Sequence, residues 1–248
     1  MDVNSVLILF GVGIAAGFLN VTAGGGSTLT LPTLIFLGLD SAAANGTNRV
    51  AIFIQNIFAV ISFKREKYFR LKTSLKLSIL TLPGAFAGAI LAVNISDNLF
   101  QKILGIVMIG IIISLIIPKK KSEFSNDHNG NISWKVYLSM IGIGFYGGFI
   151  QVGVGFIIMA AIQNLMKLNL VFVNMHKVFI VLLYTVPALT IFILSGDVDW
   201  ILGLSLAAGN AIGGWWAAKF SVKKGEKMIR YVLIAAILIM SLKLLNIF

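Results

Sequence analysis

Arg49 and Lys177 are cations set inside apolar sequence. Each stands about eight residues into a long apolar segment, roughly 10 Å deep at the rise of an α-helix. A cation at that depth costs several kcal/mol unless it is paired or solvated. Every acidic residue (Asp2, Asp40, Glu66, Asp97, Glu123, Asp127, Asp197, Asp199 and Glu226) falls at a segment end, in a loop or at the terminus. Neither cation therefore has a carboxylate partner within its own segment, and a small anionic substrate is the natural one. The competing reading is snorkelling to the interface, or bonding to the carbonyls of broken helices. Gly24, Gly25 and Gly26 allow a sharp turn that exposes amides, and the hydroxyls of Ser27, Thr28 and Thr30 add donors. A helix beginning there points its positive end at an anion, and Pro32 suits the first turn of such a helix. A second glycine break, Gln151-Val152-Gly153-Val154-Gly155, offers backbone donors with fewer hydroxyls. Asn48 adjoins Arg49 and His176 adjoins Lys177. His176 could help bind an anion or carry a proton, although a buried histidine is more commonly just hydrogen-bonded. The expected substrate-binding set is Gly24, Gly25, Gly26, Ser27, Thr28, Asn48, Arg49, Gln151, Gly153, Gly155, His176 and Lys177. Asn45, Gln55, Asn56 and Tyr184 are candidates to line a polar path beside it.

The chemistry this excludes is as informative. The triple glycine is followed by Ser27-Thr28-Leu29, without the Gly-Lys-Ser/Thr ending of a nucleotide-binding loop. The chain has no Cys, no paired acids within apolar sequence, no serine with a plausible histidine partner and no metal-ligand cluster. The expectation is a protein that is not an enzyme and has no catalytic residues, bound metal or cofactor. Without acids inside the apolar segments the commonest proton relay is absent too. An anion would then move down its own gradient, or with protons as the neutralised acid.

The elements that hold these residues are apolar. Hydrophobic residues make up 58% of the 248 and charged residues only 12%, which places the chain in a bilayer. Five apolar segments fall in each half: roughly 4–20, 28–39, 42–63, 73–93 and 99–117, then 134–150, 156–166, 170–194, 200–218 and 228–247. A span needs about 20 residues. The second segment of each half is shorter and follows a glycine break, which reads as a half-helix, spanning or re-entrant. No signal-peptide pattern opens the chain. The net charge of +11 sits in short loops and signals topology rather than nucleic acid. The basic stretches are Lys64 to Lys72, Lys119–Lys121 with Lys135, and Lys219 with Lys223, Lys224 and Lys227; these belong in the cytoplasm. The cation-free loops 94–98 and 195–199 belong outside, and counting crossings puts both termini outside as well. Trp134, Trp200, Trp215, Trp216 and Tyr68 near segment ends suit the interfaces.

The halves also resemble each other. Gly17-Phe18 aligns with Gly144-Phe145, Asn48-Arg49-Val50 with His176-Lys177-Val178, and Gly84 to Gly88 with Gly209 to Gly213. An odd number of crossings per half inverts the second copy, an architecture that places a binding site where the breaks meet near the midplane. The expected fold is all-α and integral to the membrane, a single domain over 1–248. Repeat one covers 1–117, a cytoplasmic linker 118–133 and repeat two 134–248, each repeat with about five hydrophobic segments and Gly-broken half-helices.

The run from Gly17 to Pro32, with Gly38-Leu39 and Asn45-Gly46-Thr47-Asn48-Arg49, resembles the sulfite exporter TauE/SafE family. Gly144-Phe145-Tyr146-Gly147-Gly148-Phe149 with Gly153-Val154-Gly155-Phe156 resembles that family's second signature, so the likeness spans nearly the whole chain. It implies a multi-pass permease of a bacterial or archaeal plasma or inner membrane that exports sulfite, thiosulfate, sulfonates or related anions. It also implies a site formed by the glycine-flanked half-helices. The chain departs from the family's usual Gly-Pro-Gly-Thr-Gly, reading Ile150-Gln151-Val152-Gly153-Val154-Gly155 instead, so a hydroxyl is lost and a Gln amide gained. The alternatives are a passive anion channel and a non-transporting subunit of a larger membrane complex.

Overall fold

The computed structural model describes residues 3–116 and 133–220. The apolar segment 228–247 and nearly all of the linker 118–133, with Lys119–Lys121, Lys223, Lys224, Lys227 and His128, lie outside the described residues. Ten helices occupy the described part: α1 (Val3–Thr22), α2 (Ser27–Phe36), α3 (Ser41–Arg65), α4 (Leu71–Ile79), α5 (Leu82–Asn94), α6 (Asp97–Ile116), α7 (Trp134–Phe149), α8 (Val154–Met166), α9 (Leu170–Leu194) and α10 (Trp200–Phe220).

Helices α1, α6, α9 and α10 are long and apolar enough to cross a bilayer, and the α4–α5 pair makes a fifth crossing if taken as one bent span. The two short elements, α2 and α8, are helices too short to span. At 1.5 Å per residue α2 is about 15 Å long, half the ~30 Å hydrocarbon thickness. The fourth apolar segment, which reads as continuous in sequence, is broken. Pro83 cannot donate to the carbonyl of Ile79, so α4 stops there and α5 sets off at 46° to it. Pro32 also lies elsewhere than expected. It is the sixth residue of α2, inside the helix, because Thr28 N–H already bonds Gly25 O and starts the helix at Ser27.

Helices α3 and α9 are both 25 residues long, and each opens on an acidic or amide cap. Asp40 accepts from Ala43 N–H at 2.8 Å, and Asn169 accepts from Val171 N–H and Phe172 N–H at 3.0 and 3.1 Å. These caps register the helices so that Asn48, and not Arg49, matches Lys177. Asn45 then matches Asn174, and Gln55 matches Tyr184.

Two close seams join the halves. Helix α1 packs on α10, and α5 on α7. A Cβ at Gly13 or Gly17 would strike the backbone of Leu206 or Asn210, and one at Gly209 or Gly213 the backbone of Phe10 or Ile14. In the other seam Gly84 and Gly88 meet Ile141 and Phe145, while Gly144 and Gly148 meet Thr81 and Ala85. Such glycines let helix backbones approach in lipid, where burial of apolar surface gives no drive. In this seam geometry Gly13 matches Gly144 and Gly17 matches Gly148, four residues away from the sequence alignment of Gly17 with Gly144.

The side chains are sorted as a bilayer demands. Large hydrophobics such as Leu7, Ile106, Leu138 and Ile201 point outward. Asn45, Thr47, Asn48, Arg49, Gln55 and Asn56 are buried on α3, facing protein where some of their polar groups find partners.

Candidate functional site

The two glycine breaks meet. Gly24 and Gly155 are in backbone contact, so that a Cβ on either would overlap the other. Gly24 holds φ +87°, which only glycine adopts without strain, and this turns the chain out of α1 toward α2. Gly153 holds φ +71° before α8 and backs onto Ile111 of α6.

Each break places the end of one helix beside the start of another. The last three carbonyls of α1 belong to Asn20, Val21 and Thr22. Lys177 Nζ donates to the first two at 2.9 and 2.8 Å, and Asn174 Nδ2 reaches the third at 3.4 Å. The last three carbonyls of α7 belong to Gly147, Gly148 and Phe149. Arg49 donates Nη1 to the first at 3.0 Å and Nη2 to the second, while Asn45 Nδ2 donates to the third at 2.8 Å. In both cases one cation and one asparagine, from the third helix of the opposite half, close the end of a broken helix. The cation binds where the helix dipole is negative and satisfies carbonyls that, apart from Asn20 O, which also takes Gly24 N–H at 3.0 Å, would otherwise be orphaned. Lys177 is further held by Asn174 Oδ1 at 2.9 Å and lies 3.7 Å from Met159 Sδ. The Arg49 guanidinium lies over the Phe192 ring at 4.8 Å. Arg49 is fully buried and Lys177 is 2% exposed.

The opposite ends are treated differently. The amides of Gly25, Gly26 and Ser27 at the start of α2, and of Gly153 and Gly155 at α8, have no acceptor among the described residues. The Thr28 hydroxyl turns back to Gly25 O at 2.5 Å. Thr30 Oγ1 donates to Asn48 Oδ1 at 2.6 Å, which leaves Asn48 Nδ2 unpaired. Among the described residues Arg49 Nε is likewise buried without a partner, and the Gln151 carboxamide is buried beside the Tyr184 hydroxyl.

Of the residues expected from sequence, Gly24 and Gly155 come into direct contact, and Gly25, Gly26, Ser27, Thr28 and Gly153 flank that contact. Asn48 joins α3 to α2, and Arg49 and Lys177 approach the breaks through the helix ends they close. His176 turns toward α4, with Nδ1 2.8 Å from Ser74 Oγ. Asn20, Asn174 and Ser74 are partners that sequence reasoning did not single out. For Asn174 a signal was present, since an asparagine three residues before a buried lysine shares its helix face.

The chain is 31% identical to "Probable membrane transporter protein YfcA" of Escherichia coli (strain K12), over 96% of this chain and 88% of that protein. It is 28% identical to a "Probable membrane transporter protein" of Haemophilus influenzae over 98% of this chain and 96% of the relative. With "Probable membrane transporter protein YunE" of Bacillus subtilis it shares 25% identity over 97% of both. No solved structure matches. The family model described as "Sulfite exporter TauE/SafE" matches residues 9–244, and the chain is a multi-pass membrane protein that belongs to this transporter family.

Proposed function

We propose that this protein carries small sulfur-containing anions, such as sulfite, thiosulfate or sulfonates, across the membrane with net export, by alternating access of two inverted halves. One observation carries the reading: the negative helix ends at the breaks are closed by Lys177 with Asn174 and by Arg49 with Asn45, whereas the positive ends keep their amides. At each break a helix end worth about −0.5 of a charge adjoins one worth about +0.5. Left alone the two nearly cancel. A cation on the carbonyl side removes the negative member and leaves the positive end to attract an anion.

Arg49 and Lys177 in this reading set the sign of the site mainly through the helices they close. The amides of Gly25, Gly26, Ser27, Gly153 and Gly155 and the Ser27 hydroxyl supply donors, and Thr28 shapes the turn. Asn48 and Gln151 line the space, and His176 steadies α4 against α9. Gly24 and Gly155 are in contact in this structure, so the anion enters when one half tilts away from the other.

The test is flux in proteoliposomes holding only the purified full chain. Sulfite, thiosulfate and methanesulfonate are expected to exchange with saturable rates, and Lys177→Met to lower the rate by at least about tenfold. A parent protein that moves none of these anions would overturn the proposal.

A further inference from the structure

Helices α3 and α10 pack on each other and leave a groove of about 620 Å³ along their outer side. Its walls are apolar: Ile54 and Phe58 from α3, and Leu204, Ala208, Ile212 and Trp216 from α10. Phe58, Leu204, Ile212 and Trp216 are exposed, so the groove opens on the surface that faces lipid. The small side chain of Ala208, one turn from Leu204 and from Ile212, leaves the hollow between larger neighbours. At 1.5 Å per residue the stretch from Leu204 to Trp216 is about 18 Å long. That is close to the ~15 Å of hydrocarbon in one leaflet.

One end of the groove is built differently. The Phe58 ring meets the Trp215 ring edge to face at 6.4 Å, and the Ser62 hydroxyl donates to Trp215 O at 3.3 Å. These contacts fix α3 to α10 there. Arg65, the last residue of α3, lays its guanidinium over the same Trp215 ring at 5.0 Å. Lys219 stands one turn beyond Trp215 and Trp216, on the face of α10 that carries Ala208 and Ile212. Both cations are exposed, and among the described residues neither pairs with a carboxylate. The basic turn that follows Arg65 assigns this end to the cytoplasm.

Topology asks for cations in the loops, but not for one laid on the aromatic wall of a groove. The other half shows what the repeat itself requires. In the register set by the helix caps and the glycine seams, the place of Arg65 falls to Leu194 and that of Lys219 to Asn94. The places of Trp215 and Trp216 fall to Ile90 and Leu91. The aromatic and basic residues are thus additions to the shared plan, gathered at one end of one groove. We infer that this groove binds an anionic phospholipid of the cytoplasmic leaflet. One acyl chain lies along Ile54, Phe58, Ala208 and Ile212, and the phosphate accepts from the Arg65 guanidinium and the Lys219 ammonium. Two cations on one phosphate favour it over a zwitterionic lipid with the same chains. The site faces lipid and does not depend on which anion the protein carries.

The experiment follows tryptophan fluorescence of the purified full chain in neutral detergent. Trp134→Phe and Trp200→Phe leave Trp215 and Trp216 as the emitters. Phosphatidylglycerol and phosphatidylcholine with the same brominated chains are titrated in as quenchers. This background is expected to reach half-quenching at about tenfold less phosphatidylglycerol than phosphatidylcholine. Adding Arg65→Gln with Lys219→Gln brings the two lipids within about twofold. Adding Lys72→Gln with Lys76→Gln instead, on α4, removes as much charge from a helix that packs on α9 and leaves the preference in place. Ala208→Phe fills the hollow and weakens quenching by both lipids. Equal titration by the two lipids, or a preference lost as fully in the Lys72 and Lys76 variant, overturns the inference. Quenching that is unchanged in Ala208→Phe overturns it as well, and that variant carries the test if the Arg65 and Lys219 variant does not fold.

Discussion

At the scale of residues, the decisive fact about Arg49 and Lys177 is what they touch. Each reaches across to the other half and closes a helix that ends inside the membrane. This gives Arg49 a stability role that a purely ligand-binding cation would lack. Arg49→Met strands the carbonyls of Gly147 and Gly148 without donors, at about 1–3 kcal/mol each. Thermal unfolding in detergent, with no anion added, should therefore rank the parent above Arg49→Lys, and Arg49→Lys above Arg49→Met. A Met variant as stable as the parent would return Arg49 to a ligand-only role. The two cations were legible in the sequence because charge inside apolar segments is conspicuous. Their partners were not, since Gly147 lies 98 residues from Arg49 and Asn20 lies 157 from Lys177. Of the two readings open at that stage, bonding to the carbonyls of broken helices is the one the described contacts display.

At the scale of elements, glycines do two separate jobs, and substitution tells them apart. Gly24 combines a positive φ with a backbone neighbour where a Cβ would go, whereas Gly11 inside α1 has nothing within 4 Å of that position. Gly24→Ala should cost about 2–4 kcal/mol from strain and overlap together. Gly11→Ala should be neutral or gain up to about 1 kcal/mol of helix propensity. Yield of folded protein and melting temperature in detergent check both, and equal behaviour of the two variants would contradict the assigned contact. The shortness of α2 and α8 was plain from the sequence, because short apolar runs after glycine clusters leave few alternatives. The α4–α5 bend was missed although Leu82-Pro83-Gly84 announced it, because hydropathy runs smoothly across a proline that interrupts hydrogen bonds. Repeat register was legible only to within a few residues. Glycines recur in every seam, so several alignments look alike until caps and contacts choose among them.

At the scale of the whole molecule, orientation follows from the loops. The basic turn after α3, Lys64 to Lys72, should face the cytoplasm, and the loop after α9, which carries Asp197 and Asp199, should face outside. The chain has no cysteine of its own, so Glu66→Cys and Val198→Cys each supply a single reporter. An impermeant thiol reagent added to intact cells should label the second and spare the first until the membrane is opened. Labelling of both, or the reverse order, would invert the assignment. The paired seams, α1 on α10 and α5 on α7, tie each half to the other along its length. The breaks in turn touch at one glycine pair, Gly24 against Gly155. On the carrier reading proposed above, such a build works as a turnstile: it admits one passenger at each turn, every rival anion waits at the same gate, and ions cannot push one another through in file.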